Sequence, residues 1–252
     1  MRKIAIALAK GGVGKTTTAV NLAHGLSRAG QAVLLVDLDT QGQAGDALGI
    51  QPEIGLAELI MGEASLSQAI VEARPGLHLL AGGRALAGIK RLQARMDFGG
   101  EKLIAKALAP LESQYQYALL DFAPSWDGVS IAALFYAQEI LAPISLEPLA
   151  IKGLIAFQER IEDIQQYHAG LSLRYILPTG LDKRVRQSGE ILEQLQAYAG
   201  ERLCSPIRYN IKLSEAPAHG QSIWEYAPHS PGAEDYQALT ERILQDAKIT
   251  NS

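Results

Sequence analysis

The chain has 252 residues, a length that suits one α/β domain with a sizeable core. Its 23 lysines and arginines and 27 aspartates and glutamates give a net charge of -4, which argues against a protein coated in positive charge but allows a local basic patch. The single cysteine, Cys204, excludes an intrachain disulfide framework and fits a reducing cytoplasm. We predict no targeting signal at the N-terminus and no membrane span.

Short apolar runs alternate with helical patterns along the chain. The runs predicted as strands are 4–9, 32–36, 77–80, 118–120, 140–144 and 173–177. The segments predicted as helices are 16–29, 101–108, 151–167, 189–198 and 233–247. Alternating strands and helices indicate a parallel sheet, and strands that are mainly apolar suit a sheet covered on both faces. We therefore predict one α/β domain over residues 1–252, with a mostly parallel twisted sheet and helices on both faces.

A glycine-rich loop lies between the first predicted strand and the first predicted helix, as a phosphate-binding loop requires. Its sequence from Ala9 to Thr17 is AKGGVGKTT. Glycines let the backbone curl so that N–H groups point at phosphate oxygens, and the helix N-terminus adds partial positive charge. Lys15 is expected to reach the β- and γ-phosphates, and Thr16 to place its hydroxyl on Mg²⁺. The predicted nucleotide-binding residues of this loop are Lys10, Gly11, Gly12, Val13, Gly14, Lys15, Thr16 and Thr17. The usual pattern begins with glycine, where this chain has Ala9. The alternative interpretation is an ordinary glycine-rich turn.

Lys10 is not part of the general phosphate-loop pattern. With this second lysine the loop resembles the deviant Walker motif, Lys-Gly-Gly-x-Gly-Lys-Thr, of the ParA/MinD family of P-loop ATPases. The resemblance implies a P-loop NTPase fold with ATP and Mg²⁺ as cofactors. It also implies that Lys10 reaches the nucleotide of a partner subunit and neutralises developing phosphate charge there, as an arginine finger does elsewhere. The simpler alternative is a surface lysine that only raises the local potential.

Acidic residues end two of the predicted strands, and ligands bind at such strand ends in open α/β sheets. Asp37 and Asp39 follow the second run, where the family's usual pattern is Asp-x-Asp-Pro-Gln-Gly-Asn and this chain departs at Thr40 and Gln43. By this resemblance Asp39 positions the attacking water, and Asp37 has a supporting role at the metal. The alternative for both is a strand-end aspartate that caps the next helix.

Asp121 follows the run 118–120, as a Walker B acid does, and is expected to hold Mg²⁺ through water. The family continues Asp-x-Pro-Pro, whereas Ala123 replaces the first proline in this chain. Trp126 follows as a core residue or, alternatively, as a partner contact. The predicted catalytic residues are Lys10, Lys15 and Asp39, and the predicted metal-site residues are Thr16, Asp121 and Asp37.

The last third of the chain also carries the resemblance. Residues 210–217 (NIKLSEAP) and 230–233 (SPGA) resemble the C-terminal signature of the chromosomal ParA/Soj branch, so the resemblance spans nearly the whole chain. In that branch a Pro-Arg-Asn segment lies near the adenine. The equivalent segment here is Arg208-Tyr209-Asn210, which makes Tyr209 and Asn210 candidate contacts for the base. The residues at 179–182 lack the Asn-Lys-x-Asp pattern by which Ras-type proteins recognise guanine. This absence favours ATP as the nucleotide.

A basic cluster in the same region suggests DNA binding. Non-specific DNA affinity comes from lysines and arginines that contact phosphates, and in the family a basic residue matching Arg184 contributes to it. The predicted DNA-binding residues are Lys183, Arg184, Arg186, Arg208 and Lys212. Dimerisation would double such a patch. The alternative is a solvated charged face.

The resemblance implies an ATP-dependent homodimer that binds DNA non-specifically and partitions or positions DNA or protein cargo. A ParB-like partner or cargo adaptor is expected to stimulate hydrolysis. We expect a cytoplasmic, nucleoid-associated protein without stable membrane association. Two alternatives remain open. One is a membrane-surface positioning ATPase of the MinD or flagellar-number type, which the mixed charge of the last helix disfavours. The other is a nucleotide-gated scaffold with slow or lost turnover.

Overall fold

One twisted sheet organises the fold. The computed structural model describes residues 1–93, 95–96 and 99–250, without the side chains of residues 249 and 250. Its strands are β1 (Arg2–Ile6), β2 (Val33–Asp37), β3 (Ile70–Arg74), β4 (Leu77–Leu80), β5 (Tyr117–Asp121), β6 (Glu139–Ser145), β7 (Ser172–Leu181) and β8 (Ile207–Arg208). They lie in the order β3-β4-β2-β5-β1-β6-β7-β8. Every neighbouring pair is parallel except β3 and β4.

Helices cover both faces of this sheet. They are α1 (Lys15–Arg28), α2 (Gln43–Leu48), α3 (Leu56–Met61), α4 (Leu66–Ala69), α5 (Leu86–Gln93), α6 (Leu103–Leu108), α7 (Gly128–Tyr136), α8 (Ala150–Gln165), α9 (Arg186–Ala199), α10 (Ile211–Glu215), α11 (Ile223–Tyr226) and α12 (Pro231–Thr250). Successive residues of a strand point to opposite faces, so β2 gives Leu34 and Val36 to one core and Val33 and Leu35 to the other. The predicted mostly parallel sheet with helices on both faces is confirmed.

Two strands and several helices were not predicted, and three of these elements show local reasons. Strand β3 follows α4 directly and carries the charged residues Glu72 and Arg74, so it shows no apolar run. Strand β8 has only two residues. Helix α7 has the sequence GVSIAALFY and is buried on most sides, so it lacks the amphipathic pattern that marks a helix.

The register brings the predicted site residues to one edge of the sheet. Asp121 pairs with Ile6 of β1 and with Asp37 of β2, so the ends of these three central strands are level. Strand β1 ends at Ile6, three residues before the predicted end, because the loop that leads into α1 begins there. The loops after β1, β2 and β5 therefore converge above the same carboxyl-terminal edge, where open α/β sheets bind ligands.

Among the described residues, no helix combines the length and apolarity needed to cross a bilayer.

Candidate nucleotide site

The glycine-rich loop curls as predicted between β1 and α1. Gly12 and Gly14 have φ angles of 73° and 87°, in the left-handed region that favours glycine. A Cβ added to Gly11 or Gly12 would meet no atom within 4 Å, so these residues border open space. The hydroxyl of Thr179, near the end of β7, donates a hydrogen bond of 3.0 Å to the carbonyl of Val13. The loop is thus held from a neighbouring strand while its inner side stays open to a ligand.

A cavity of about 300 Å³ lies inside this loop. Its lining brings together the predicted phosphate-binding residues and the predicted catalytic aspartate. The lining residues are Gly11, Gly12, Gly14, Lys15, Thr16, Thr17, Asp39, Gln43, Phe122 and Pro124.

Lys15 is the buried cation of the site, with 7% of its surface exposed. Its ammonium group donates to the backbone carbonyl of Lys10 at 2.7 Å. Burial lowers the pKa of Lys15, while the nearby carboxylates of Asp121 and Asp39 oppose that shift. A cation that is poorly solvated and bonded to a neutral carbonyl gains more from a phosphate than an exposed lysine would.

Asp121 provides the clearest fit to a metal ion. Both of its carboxylate oxygens are buried, and neither accepts a hydrogen bond of ordinary geometry. Burial, and then the charge of Asp37, raises the pKa of Asp121 well above its usual range, whereas the nearby Thr16 hydroxyl and Lys15 favour the ionised form. Buried carboxylate oxygens without partners, beside a threonine hydroxyl, match the oxygen ligands that Mg²⁺ prefers. Thr16 and Asp121 therefore fit the predicted magnesium site.

Asp37 is bonded to the backbone of the loop that follows β2. Its side chain is fully buried, and its two oxygens accept hydrogen bonds from the backbone N–H groups of Asp39 (2.8 Å) and Ala44 (3.1 Å). Burial raises its pKa to about 6. Each oxygen accepts one backbone N–H, so Asp37 fixes the loop before α2, as the alternative interpretation holds, and its place at the metal stays a prediction.

Asp39 lies at the rim of the cavity. Its Oδ1 accepts a hydrogen bond of 3.0 Å from the N–H of Gln41, and its own carbonyl accepts one from Gly83. A Cβ on Gly82 would lie 2.6 Å from that carbonyl oxygen, so only glycine fits against the loop there. The backbone of Asp39 is thus held by its neighbours, and Asp39 is among the residues that line the cavity.

Lys10 extends out of the loop and is half-exposed. Its ammonium group forms an ion pair of 2.8 Å with Glu147 and contacts the Ser145 hydroxyl at 3.2 Å. The same contact lowers the pKa of Glu147. Lys10 therefore does not reach the phosphate cavity of its own chain.

A second cavity of about 340 Å³ continues from the loop towards β8 and α10. Tyr209 and Asn210, the predicted base contacts, both line it, together with Thr179 and Leu213. The ring of Tyr209 is 62% exposed at the cavity mouth. Asn210 caps α10 through its Oδ1, and its buried Nδ2 has no hydrogen-bond partner. Tyr209 and Asn210 therefore lie together at a cavity that continues from the phosphate loop, as a base-binding position requires.

The predicted DNA-binding residues are not all available. Arg208 donates to Asp235, Glu234 and the carbonyl of Pro231, so it ties β8 to α12. Its backbone N–H also donates to Asp235 at 2.8 Å, which a proline at this position could not do. Arg208 therefore has a structural role with two carboxylate partners, and its predicted role in DNA binding stays a prediction that these partners disfavour.

The other four cations of the cluster are exposed. Arg184 pairs with Asp182, Arg186 with Glu190, and Lys212 with Glu215. The side chains of Arg184 and Arg186 are 81% and 93% exposed, and such surface pairs are worth only about 0–1 kcal/mol. Lys183 makes no ion pair with any residue that the structure describes. DNA phosphates could therefore compete for these four side chains.

Sequence analysis missed several site residues, of which three lie at strand ends. Ser145 is the last residue of β6, Glu147 follows that strand, and Thr179 lies near the end of β7. The sequence could have identified them, because polar residues at the carboxyl ends of apolar strands are candidates for a ligand site. Trp126, by contrast, is partly buried against Phe157, at 5.5 Å between ring centroids, in agreement with the core interpretation.

Comparison with known proteins agrees with this site. The model of the AAA domain family matches residues 1–173. The chain is 37% identical over 249 residues to the chromosome-partitioning ATPase Soj of Thermus thermophilus, covering 97% of this chain and 96% of that protein. It is 30% identical to the chromosome partitioning protein ParA of Caulobacter vibrioides, covering 97% and 94%.

A solved structure shares the fold over nearly the whole length. It is the crystal structure of cobyrinic acid a,c-diamide synthase from Mycobacterium smegmatis with bound ADP and magnesium, at a TM-score of 0.85 and 30% identity, covering 98% of this chain and 95% of that one. With its phosphate loop, its second lysine and its paired strand-end acids, the chain belongs to the ParA/MinD family of P-loop ATPases, among the relatives of ParA and Soj.

Proposed function

We propose that residues 1–252 form one ATPase domain that closes into a homodimer with ATP and Mg²⁺, binds DNA non-specifically, and partitions or positions DNA or protein cargo. A ParB-like partner or cargo adaptor would stimulate hydrolysis and release the complex from DNA. The protein would act in the cytoplasm on the nucleoid, without stable membrane association. The observation that carries this proposal is Lys10, a half-exposed lysine beside the phosphate loop that pairs with Glu147 outside the phosphate cavity of its own chain.

Each residue of the site has a distinct task in this proposal. Lys15 exchanges its carbonyl partner for phosphate oxygens, while the backbone N–H groups of the loop orient the same oxygens. Bound Mg²⁺, held by Thr16 and by Asp121 through water, would neutralise phosphate charge. Asp39 orients a water molecule at the cavity rim, and the partner subunit's Lys10 adds positive charge as the reaction proceeds.

The ion pair of Lys10 bears on dimer formation. For Lys10 to enter the cavity of a second copy, it must leave Glu147, and an exposed pair of this kind costs about 0–1 kcal/mol to break. Because a homodimer breaks one such pair in each subunit, we expect Glu147→Gln to tighten ATP-dependent dimerisation by up to about 30-fold, measured by analytical ultracentrifugation. Lys10→Ala should abolish the dimer in either background. A dimer that forms equally well with Lys10→Ala would contradict the role of this lysine.

The DNA face is the exposed group Lys183, Arg184, Arg186 and Lys212. Binding weakens as salt rises, with a slope of log K against log salt concentration that reflects the number of phosphate contacts. Removing one of these side chains should reduce that slope by about one. We expect Arg184→Ala with Arg186→Ala to lower DNA retention by at least about tenfold and to flatten the salt dependence, in the presence of ATP. Arg208→Ala is the matched control, which should act on stability rather than on the salt slope. Binding that is equal with ATP and ADP would contradict nucleotide-gated DNA binding.

Helix α12 bears on the membrane-surface alternative. Its apolar residues Ala233, Tyr236, Leu239 and Ile243 are buried in the core beside the sheet. A helix that lies on a membrane must expose its apolar face, so this packing favours DNA over lipid as the surface on which the protein acts. Co-sedimentation with liposomes and ATP tests this, and strong pelleting would favour the alternative.

A further inference from the structure

A groove of about 890 Å³ crosses the amino-terminal edge of the sheet, opposite the nucleotide site. Its lining includes the first residues of β1, β5, β6 and β7 and a residue that precedes β2. These strands lie in the order β2-β5-β1-β6-β7, and neighbouring strands are about 4.8 Å apart, so the groove spans about 19 Å. Neither the proposed nucleotide nor the proposed DNA face uses this edge.

A row of glutamine side chains follows this groove. Gln116 and Gln138 come directly before β5 and β6, and Gln31 comes two residues before β2. Gln31 and Gln138 make no side-chain hydrogen bond within the described chain, and Gln116 uses only its Oε1, which accepts from the N–H of Ala32. An amide side chain both donates and accepts, as the polypeptide backbone does. The row can therefore bond the backbone of an extended peptide that crosses the strands.

Arg174 presents a free guanidinium edge at one end of the groove. Its Nε donates to the Tyr175 hydroxyl at 3.2 Å, which itself donates to Asp246, and the same Nε is 3.8 Å from the nearer oxygen of Glu139. The two Nη groups make no hydrogen bond within the described chain, and the side chain is 40% exposed. Such an edge binds a carboxylate through two parallel hydrogen bonds.

A β-bulge accounts for the position of Arg174. Leu173 and Tyr175 of β7 pair with Ile140 and Leu141, which are consecutive residues of β6, so Arg174 is the extra residue between them. An extra residue of this kind leaves the ladder and redirects its side chain.

The carboxylates that line the groove are already used by other cations. Both oxygens of Glu139 accept from Arg2, at 2.8 and 2.7 Å. Glu112 pairs with Lys3 at 2.7 Å. Arg174 is therefore the position in the groove at which an anionic group gains a partner.

We propose that this groove binds an extended segment of a partner protein, whose acidic side chain pairs with Arg174 while the glutamine row bonds its backbone. At about 3.3 Å per residue, a span of 19 Å holds about six residues. A nucleic acid fits less well, because it needs cations for successive phosphates and the groove offers one free arginine beside two carboxylates. The nucleotide site lies at the other end of the strands, so the segment binds with or without ATP.

The test compares two pools of fluorescein-labelled hexapeptides on the full chain by fluorescence anisotropy. One pool carries a single glutamate at any position, the other carries glutamine there, and the remaining positions are mixtures of glycine, serine, threonine, asparagine and glutamine. We expect the glutamate pool to bind at least about tenfold tighter. Arg174→Gln should remove this difference, and Gln138→Ala should weaken both pools alike. Arg91→Gln is the matched control, because it removes an exposed arginine outside the groove and should keep the difference.

Ser172→Cys provides a second measurement that leaves Arg174 in place. Ser172 is exposed and lines the groove. Labelling the new cysteine with ethyl methanethiosulfonate adds a neutral group there, which should weaken the binding of both pools. Cys204 does not interfere: it is 3% exposed, and burial raises its pKa to about 11. Affinities that the label leaves unchanged would place the peptides elsewhere and overturn the inference.

Three further results would overturn the inference. The first is equal affinity for the two pools, or a difference that persists in Arg174→Gln. The second is glutarate that binds as tightly as the glutamate pool, which would assign the groove to a small carboxylate. The third is a DNA duplex that displaces the peptides only when Arg174 is present, which would assign the groove to nucleic acid. ATP turnover enters none of these measurements, so the inference and the proposed function can fail separately.

Discussion

Asp121→Asn is expected to abolish magnesium-dependent ATP turnover and, at the same time, to make the free protein more stable. The carboxylate of Asp121 is buried without a hydrogen bond of ordinary geometry, so its charge destabilises the fold when nothing is bound. Asparagine has nearly the same shape and no charge. Removing an unpaired buried charge should add about 1–3 kcal/mol to the free energy of unfolding.

The pH dependence of stability should show the same cost of burying carboxylate charge. The pKa values of Asp37 and Asp121 are raised in the folded state, that of Asp37 to about 6, so between pH 4 and 6 the folded chain binds more protons than the unfolded chain. The stability of the nucleotide-free protein therefore falls as the pH rises through this window, by about 2–3 kcal/mol for Asp37. Asp121→Asn should reduce this slope.

Urea unfolding across pH, with and without Mg²⁺ and ATP, measures both effects. Asp37→Asn is the matched control, because each Asp37 oxygen accepts from one backbone N–H and the amide nitrogen that replaces one oxygen cannot accept. It should destabilise the protein, in contrast to Asp121→Asn. Retained magnesium-dependent turnover in Asp121→Asn, or lower stability, would show that Asp121 is a structural residue and not part of the metal site.

The position of the site followed from local sequence because its parts lie at strand ends. The apolar runs placed the loop, Asp37 and Asp121 each after a strand, and in a parallel sheet such ends share one edge. Those ends meet only when adjacent strands pair in a register that aligns their last residues. The pairing of β5 with β1 and β2 has this register. The fold and the phosphate loop could therefore be predicted from the sequence.

The roles of single charged residues could not be predicted in the same way. Asp37 and Asp121 look alike as strand-end acids, and only the path of the backbone after β2 shows that Asp37 accepts two N–H groups. Arg208 was grouped with other cations by sequence proximity, whereas its partners Glu234 and Asp235 lie 26 and 27 residues away. The pairing of charges depends on long-range packing, which periodicity and spacing do not encode.

Asp39→Ala is expected to lower the rate of ATP hydrolysis by at least about 100-fold, the range expected when a positioned acid or base is removed. The Asp39 carboxylate lies at the cavity rim, while the phosphate contacts are assigned to Lys15 and the loop backbone, so ATP affinity should change by less than about threefold. The variant should then accumulate as an ATP-bound dimer on DNA. Single-turnover assays and ultracentrifugation with ATP measure the two quantities separately.

Two controls distinguish the chemical role of the Asp39 carboxylate from its effect on the structure of the loop. Asp39→Asn keeps an acceptor for the N–H of Gln41 and should still lose hydrolysis, because the amide cannot take the proton of water. Glu72→Ala removes an exposed carboxylate on the edge strand and should leave the rate unchanged. If Asp39→Ala hydrolyses ATP at the wild-type rate, another group orients the water, and the hydrogen bonds that Asp37 accepts from Asp39 and Ala44 serve only the shape of the loop.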